Sequence, residues 1–135
     1  MKKLVALLLL VCVSLCIVSC GGIANDPNAI KANLEDAGYT VEVYTEGTML
    51  DAMALQFGAE DGDITAVLVG NKGKDDAIFI VFSADADAAK AIEDNIADQF
   101  DDLKASAAEE GMEIDMGRDG EVVYYGTKAA IKAAK

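Results

Sequence analysis

Ile64-Thr65-Ala66-Val67-Leu68-Val69 and Ala77-Ile78-Phe79-Ile80-Val81-Phe82 are the two runs that decide the fold. They are joined by Gly70-Asn71-Lys72-Gly73-Lys74-Asp75-Asp76, a link dense in turn-forming residues, so the pair reads as a β-hairpin. Neither run alternates apolar with polar. Ile64, Ala66 and Leu68 fall on one face of the first strand, with Val67 and Val69 on the other. In the second, Ile78, Ile80 and Phe82 oppose Phe79 and Val81. Strands apolar on both faces belong inside a sheet, with something packed on each side.

Working outward, Asp26-Pro27 reads as a helix start, an acidic N-cap followed by Pro in the first turn. Ala29, Ile30, Leu34 and Ala37 form its apolar side and Gly38 ends it. Tyr39 to Thr45 alternates, with Tyr39, Val41 and Val43 on one face, as a strand with one wet side does. Met49, Leu50, Met53, Ala54 and Phe57 recur at helical spacing and predict a short core helix. Residues 58–63 read as a loop. Beyond the hairpin, Asp85 to Glu110 predicts the longest helix, striped by Ala89, Ile92, Ile96, Phe100, Leu103 and Ala107 and closed by Gly111. Residues 112–116 and 121–125 predict a second hairpin around Asp119-Gly120. Thr127 caps a last short helix over 128–135.

The resulting order is α-β-α-β-β-α-β-β-α. Its inner part, β-α-β-β-α-β, is the split-βαβ order, so the expected fold is α+β and ferredoxin-like. It has an antiparallel-rich sheet with the inner helices on one face. The N- and C-terminal helices are left to cover an edge or part of the other face.

The amino terminus has a different character. Lys2 and Lys3 precede an apolar run from Leu4 to Val18 broken only by Ser14, which is the pattern of a secretory signal. The run is shorter than the ~20 residues that a helix needs to cross a bilayer. It ends Ile17-Val18-Ser19-Cys20 and is followed by Gly21-Gly22. This ending resembles the lipobox of bacterial lipoproteins: an aliphatic residue, a tolerated second residue, a small residue, then Cys. Val18 is a less usual second residue than Ala or Ser. The run Val122-Val123-Tyr124-Tyr125-Gly126-Thr127-Lys128-Ala129-Ala130-Ile131-Lys132 is similar to the ending of small bacterial lipoproteins with no assigned activity. The resemblance implies that residues 1–19 are removed and that Cys20 carries diacylglycerol as the first mature residue. It places the protein on the extracytoplasmic face of the cell membrane, held by lipid. Two acyl chains, at about 0.8 kcal/mol per buried CH₂, anchor stably where one does not. Residues 20–28 are then expected to be the lipidated cysteine and a short linker, and 29–135 a single acidic domain.

Without the leader, nine basic residues face 24 acidic ones, a net charge of −15. That surface argues against nucleic acid, which wants basic patches. Cys12 and Cys16 are expected to leave with the leader, so no internal disulfide is expected in the domain. The chain has no His, which removes Ser-His-Asp and Cys-His catalysis. The two mature serines, Ser83 and Ser106, sit in no nucleophile-elbow context.

The acidic clusters Asp61-Gly62-Asp63, Asp75-Asp76, Asp85-Ala86-Asp87 and Asp101-Asp102 do not match a calcium loop. From Asp85 the required ligand, glycine and closing glutamate positions hold Ala89, Lys90 and Ile96. Gly70-Asn71-Lys72-Gly73 has the spacing of a nucleic-acid-binding loop, but reads as the hairpin turn in so acidic a chain. No metal or other cofactor is expected.

Tyr124 and Tyr125 are the candidate partner patch, because tyrosine is enriched where proteins bind each other. A tyrosine pair in a strand sends one ring to each face, so at least one is expected to pack in the core. The sequence therefore predicts a non-enzymatic binding domain. Its partners would be the membrane, through the lipid on Cys20, and an unidentified extracellular protein or small ligand. The alternative is a small secreted enzyme or inhibitor using carboxylates or an exposed sheet face.

Overall fold

The structure is a computed structural model and describes residues 22–135; the expected leader, residues 1–19, and Cys20 lie outside the described residues. Helix α1 spans Pro27–Asp36, strand β1 Thr40–Tyr44, helix α2 Thr48–Gln56, strand β2 Ile64–Lys72 and strand β3 Asp76–Ser83. Helix α3 then runs over Ala86–Glu109, strand β4 over Ile114–Asp119, strand β5 over Val122–Thr127 and helix α4 over Lys128–Ala134. Each expected element forms within a few residues of its expected bounds. The expected caps at Asp26 and Thr127 form, and Asp85 caps the long helix; α2 starts at Gly47 without a side-chain cap. The Asp26 carboxylate accepts from the N–H groups of Asn28 and Ala29, Asp85 from Ala88, and the Thr127 hydroxyl from Ala130.

The strands form one sheet in the order β1-β2-β3-β5-β4, with every neighbouring pair antiparallel. This is an α+β architecture, but its strand order is not ferredoxin-like. In the split arrangement β1 and β2 run parallel with another strand between them; here they are adjacent and antiparallel. The reason lies in which strands can be internal. The split order would place β1 inside the sheet and β2 at its edge. β1 exposes Thr40 and Glu42, whereas β2 buries Ala66 and Leu68 on one face and Val67 on the other. The two-sided strands β2, β3 and β5 take the interior, and the one-sided β1 and the more polar β4 take the edges.

Both faces of the sheet are covered. On one, Ala66, Leu68, Ile78, Ile80, Phe82 and Val122 pack with Ile30 and Leu34 of α1 and Ala130, Ile131 and Ala134 of α4. On the other, Val67, Val81 and Val123 pack with Phe57 after α2 and with Ala89, Ile92 and Ile96 of α3. The first and last helices therefore cover the face that the inner helices leave. Ile64 departs from its expected face. The ladder slips by one residue between Ile64 and Ala66, and this bulge turns Ile64 to the α3 side.

The domain begins earlier than residue 29. Ile23 is only 4% exposed and belongs to the core on the α1/α4 face. Its backbone N–H donates to the Asp119 carboxylate at 2.7 Å, and the Asn25 side chain donates to Glu121 at 3.0 Å. The stretch expected to be a linker is docked against the β4–β5 turn from Ile23 onward.

Candidate binding groove

The α2/α3 face is incompletely closed. α3 is long enough to cross the whole sheet, but α2 has nine residues and buries none of them fully. The β2–β3 surface near the Gly73–Asp75 turn lies beyond its reach, so Val69 and Phe79 are only half-buried and Ala77 is exposed. Two adjoining cavities result. One, of about 500 Å³, lies between the end of α2 and α3, at Phe57, Asn95, Gln99, Phe100 and Asp102. The other, of about 340 Å³, continues beneath the second half of α3, against Val69, Phe79, Ala107, Met112 and Ile114. Leu103 and Tyr125 line both, so the two make one groove.

The floor is aromatic. Phe57 meets Phe79 edge-on with centroids 5.5 Å apart, and Phe79 stacks on Tyr125 at 5.4 Å and 22°. Burial pushes the Tyr125 hydroxyl above the usual phenol range. Leu103 forms the lip. Its place in the α3 stripe predicts burial, yet it is 47% exposed because no helix stands opposite it. Asn71, Lys74, Asp75 and Thr127 add polar groups at the second cavity's margin, and Asp102 and Ser106 do so along α3. Apolar exposure continues outside the groove on α2, with Met49 52% and Leu55 81% exposed. Met49 was expected in the core stripe of that helix; of that stripe Leu50, Met53 and Ala54 pack partly against the core and Phe57, just after the helix, is buried, while Met49 stays outside.

Tyr124 and Tyr125 do not form one patch. Tyr125 lies on the groove floor, while Tyr124 packs on the opposite face, over Gly117 and against the α1/α4 core. Partial burial, with Asp119, Asp115 and Glu93 nearby, raises the Tyr124 hydroxyl above the ordinary phenol value. Of the two serines among the described residues, Ser83 is buried with its hydroxyl unpaired, and Ser106 lines the groove. The two groove carboxylates, Asp75 and Asp102, stand at different cavities rather than converging on one point. Among the described residues no set of three or more His, Cys, Asp or Glu is placed to hold a metal ion, and no helix is long and apolar enough to cross a membrane.

Phe79, Leu103 and Met112 were missed as site residues by sequence reasoning. The one available signal was the mismatch between a short α2 and a long α3 over strands apolar on both faces. No family model, curated protein or solved structure matches the chain.

Proposed function

We propose that the protein is a lipid-anchored, extracytoplasmic, non-enzymatic domain that binds its ligand in the groove between α2 and α3. The observation that carries the binding reading is the open aromatic floor, Phe79 stacked on Tyr125 beside the half-exposed Leu103. Stable chains close such a surface unless something else covers it. The anchoring part rests on Ile17-Val18-Ser19-Cys20.

The two parts fit together geometrically. Only Gly21 and Gly22 separate Cys20 from the docked Ile23, a reach of about 10 Å at ~3.5 Å per residue. A lipid on Cys20 would hold the β4–β5 turn close to the bilayer. The groove opens at the other end of the sheet, by the β2–β3 turn. It would face away from the membrane, where a ligand arrives.

Two measurements test the reading. In producing cells, labelled palmitate is expected in the wild-type chain and absent from Cys20→Ser; label retained in the variant defeats the anchor. For the groove, the full chain in phosphatidylcholine nanodiscs is irradiated with benzophenone, a neutral apolar photoprobe. Adducts are expected at Met112 and its groove neighbours. Equal labelling of Met49, which is exposed outside the groove, defeats the binding site.

A further inference from the structure

We infer that the groove's occupant is a basic amphipathic helix, a partner segment that would stand beside α3 where α2 stops short. This rests on the groove being the binding site. The shape argument comes first. The wall of α3 from Asn95 to Ala107 is about 18 Å long at ~1.5 Å per residue, three turns of helix. The other long side of the groove is open above Val69 and Phe79. A sheet face with one long helix and a vacant parallel strip takes a second helix by the same packing that seats the first.

Charge decides which helix. At about 3.6 residues per turn, Asn95, Gln99, Asp102 and Ser106 form the groove-side flank of α3, with Asp98 and Glu109 next to them. No basic residue shares that flank. The two lysines of α3 are Lys90 and Lys104, and helical geometry puts both on the far side. Lys90 is also paired with Asp94, at 3.1 Å. At the second cavity Lys74 and Asp75 offset each other. A helix lying on Phe79, Tyr125 and Leu103 would therefore meet acids along its flank, and lysines or arginines there would be complementary. The net charge of −15 draws the same partner from a distance and repels a second copy of this chain.

The probe is a synthetic peptide of Leu and Lys patterned as an amphipathic helix of about four turns. Two controls accompany it, a scrambled peptide of the same composition and an analogue with Glu for every Lys. Binding is measured to the full chain in phosphatidylcholine nanodiscs, with empty discs subtracted. The patterned peptide is expected to bind at least tenfold more tightly than either control and to gain helical circular dichroism on binding. Leu103→Lys, at a half-exposed position the fold tolerates, should weaken it at least tenfold, while Leu55→Lys on the outer side of α2 should not. Equal binding of the scrambled peptide would mean charge alone and overturn the inference. So would equal binding of the Glu analogue, or indifference to Leu103→Lys. Cross-links joining α3 of two copies across their grooves would overturn it in favour of self-association. If benzophenone labels the groove and the patterned peptide does not bind, the helix falls and the groove stands; if neither binds, both fall.

Discussion

The backbone N–H of Ile23 donates to the carboxylate of Asp119 across 96 positions of sequence, and this bond ties the segment before α1 to the end of β4. Gly22 makes room for it. Its φ is +121°, and a Cβ there would lie 2.7 Å from the Asp119 carboxylate oxygen. A hydrogen bond to a charged acceptor contributes about 1.5–3 kcal/mol when buried, and less in this partly covered site. Asp119→Ala is expected to lower stability by about 1–2 kcal/mol in urea unfolding. It should also increase hydrogen exchange at Ile23. Asp119→Asn, which keeps an acceptor, should cost less. Wild-type exchange at Ile23 in Asp119→Ala would show that the segment is held by apolar packing alone.

A second polar tie joins distant parts of the chain. The Tyr39 hydroxyl donates to Asp76 at 2.6 Å, and the Thr127 hydroxyl donates to the other oxygen of the same carboxylate. Burial first, then the bond to Asp76, pushes the Tyr39 phenol from 10.0 up to about 12. Because the folded pKa is raised, the stabilising contribution is complete below pH 10. It is lost as pH rises from about 10 to 12, where the unfolded chain releases the proton more readily. Tyrosinate absorbance is expected to show Tyr39 ionising last, together with unfolding. In Tyr39→Phe the stability lost over that interval should be smaller. An unchanged alkaline transition would place its cause elsewhere.

The close approach of β3 and β5 depends on Gly126. It pairs with Ile78, and a Cβ would lie 2.7 Å from the Ile78 Cα and closer still to the carbonyl of Ala77. Both obstacles are backbone in an internal strand. Gly126→Ala is therefore expected to cost about 3 kcal/mol, the upper part of the usual overpacking range. Gly117 offers the comparison. A Cβ there meets the hydroxyl end of Tyr124 at 2.5 Å, and a half-buried side chain lying over the edge strand β4 can move aside where backbone cannot. Gly117→Ala should cost about 1 kcal/mol. Equal losses in thermal unfolding would show that Tyr124 is as fixed as the backbone.

The residues explain why the elements were legible in the sequence and their arrangement was not. Asp26-Pro27, Gly111 and Thr127 mark helix ends by local chemistry, which needs no knowledge of the rest of the chain. The sheet order needed one more step. Thr40 and Glu42 already said that β1 has a wet face, and Val67 opposite Leu68 already said that β2 does not. Together these bar β1 from the interior, and the split order required it there. The groove was illegible for another reason. Leu103 and Ile96 occupy the same stripe and differ only in whether a helix stands opposite. That depends on where the nine residues of α2 come to rest, which periodicity does not encode. Ile23 was hidden likewise, since its partner Asp119 is remote in sequence.

The acidic surface of α3 makes the last prediction. Asp94, Asp98 and Asp102 are exposed and follow one another at four-residue intervals, so each neighbours the next along the helix. Like charges at this spacing destabilise a helix by about 0.2–0.5 kcal/mol per pair, and opposite charges stabilise by a similar amount. Asp98→Lys replaces two repulsions with two attractions. It is expected to raise stability by about 1 kcal/mol, a gain that shrinks in molar salt. The same change removes an acid from beside the groove. If the groove takes a basic helix, Asp98→Lys should weaken the Leu/Lys peptide while making the domain harder to unfold. A stability mutation acting through folding alone would not move these two quantities in opposite directions. Tighter peptide binding by the stabilised variant would mean that α3 does not supply the complementary charge.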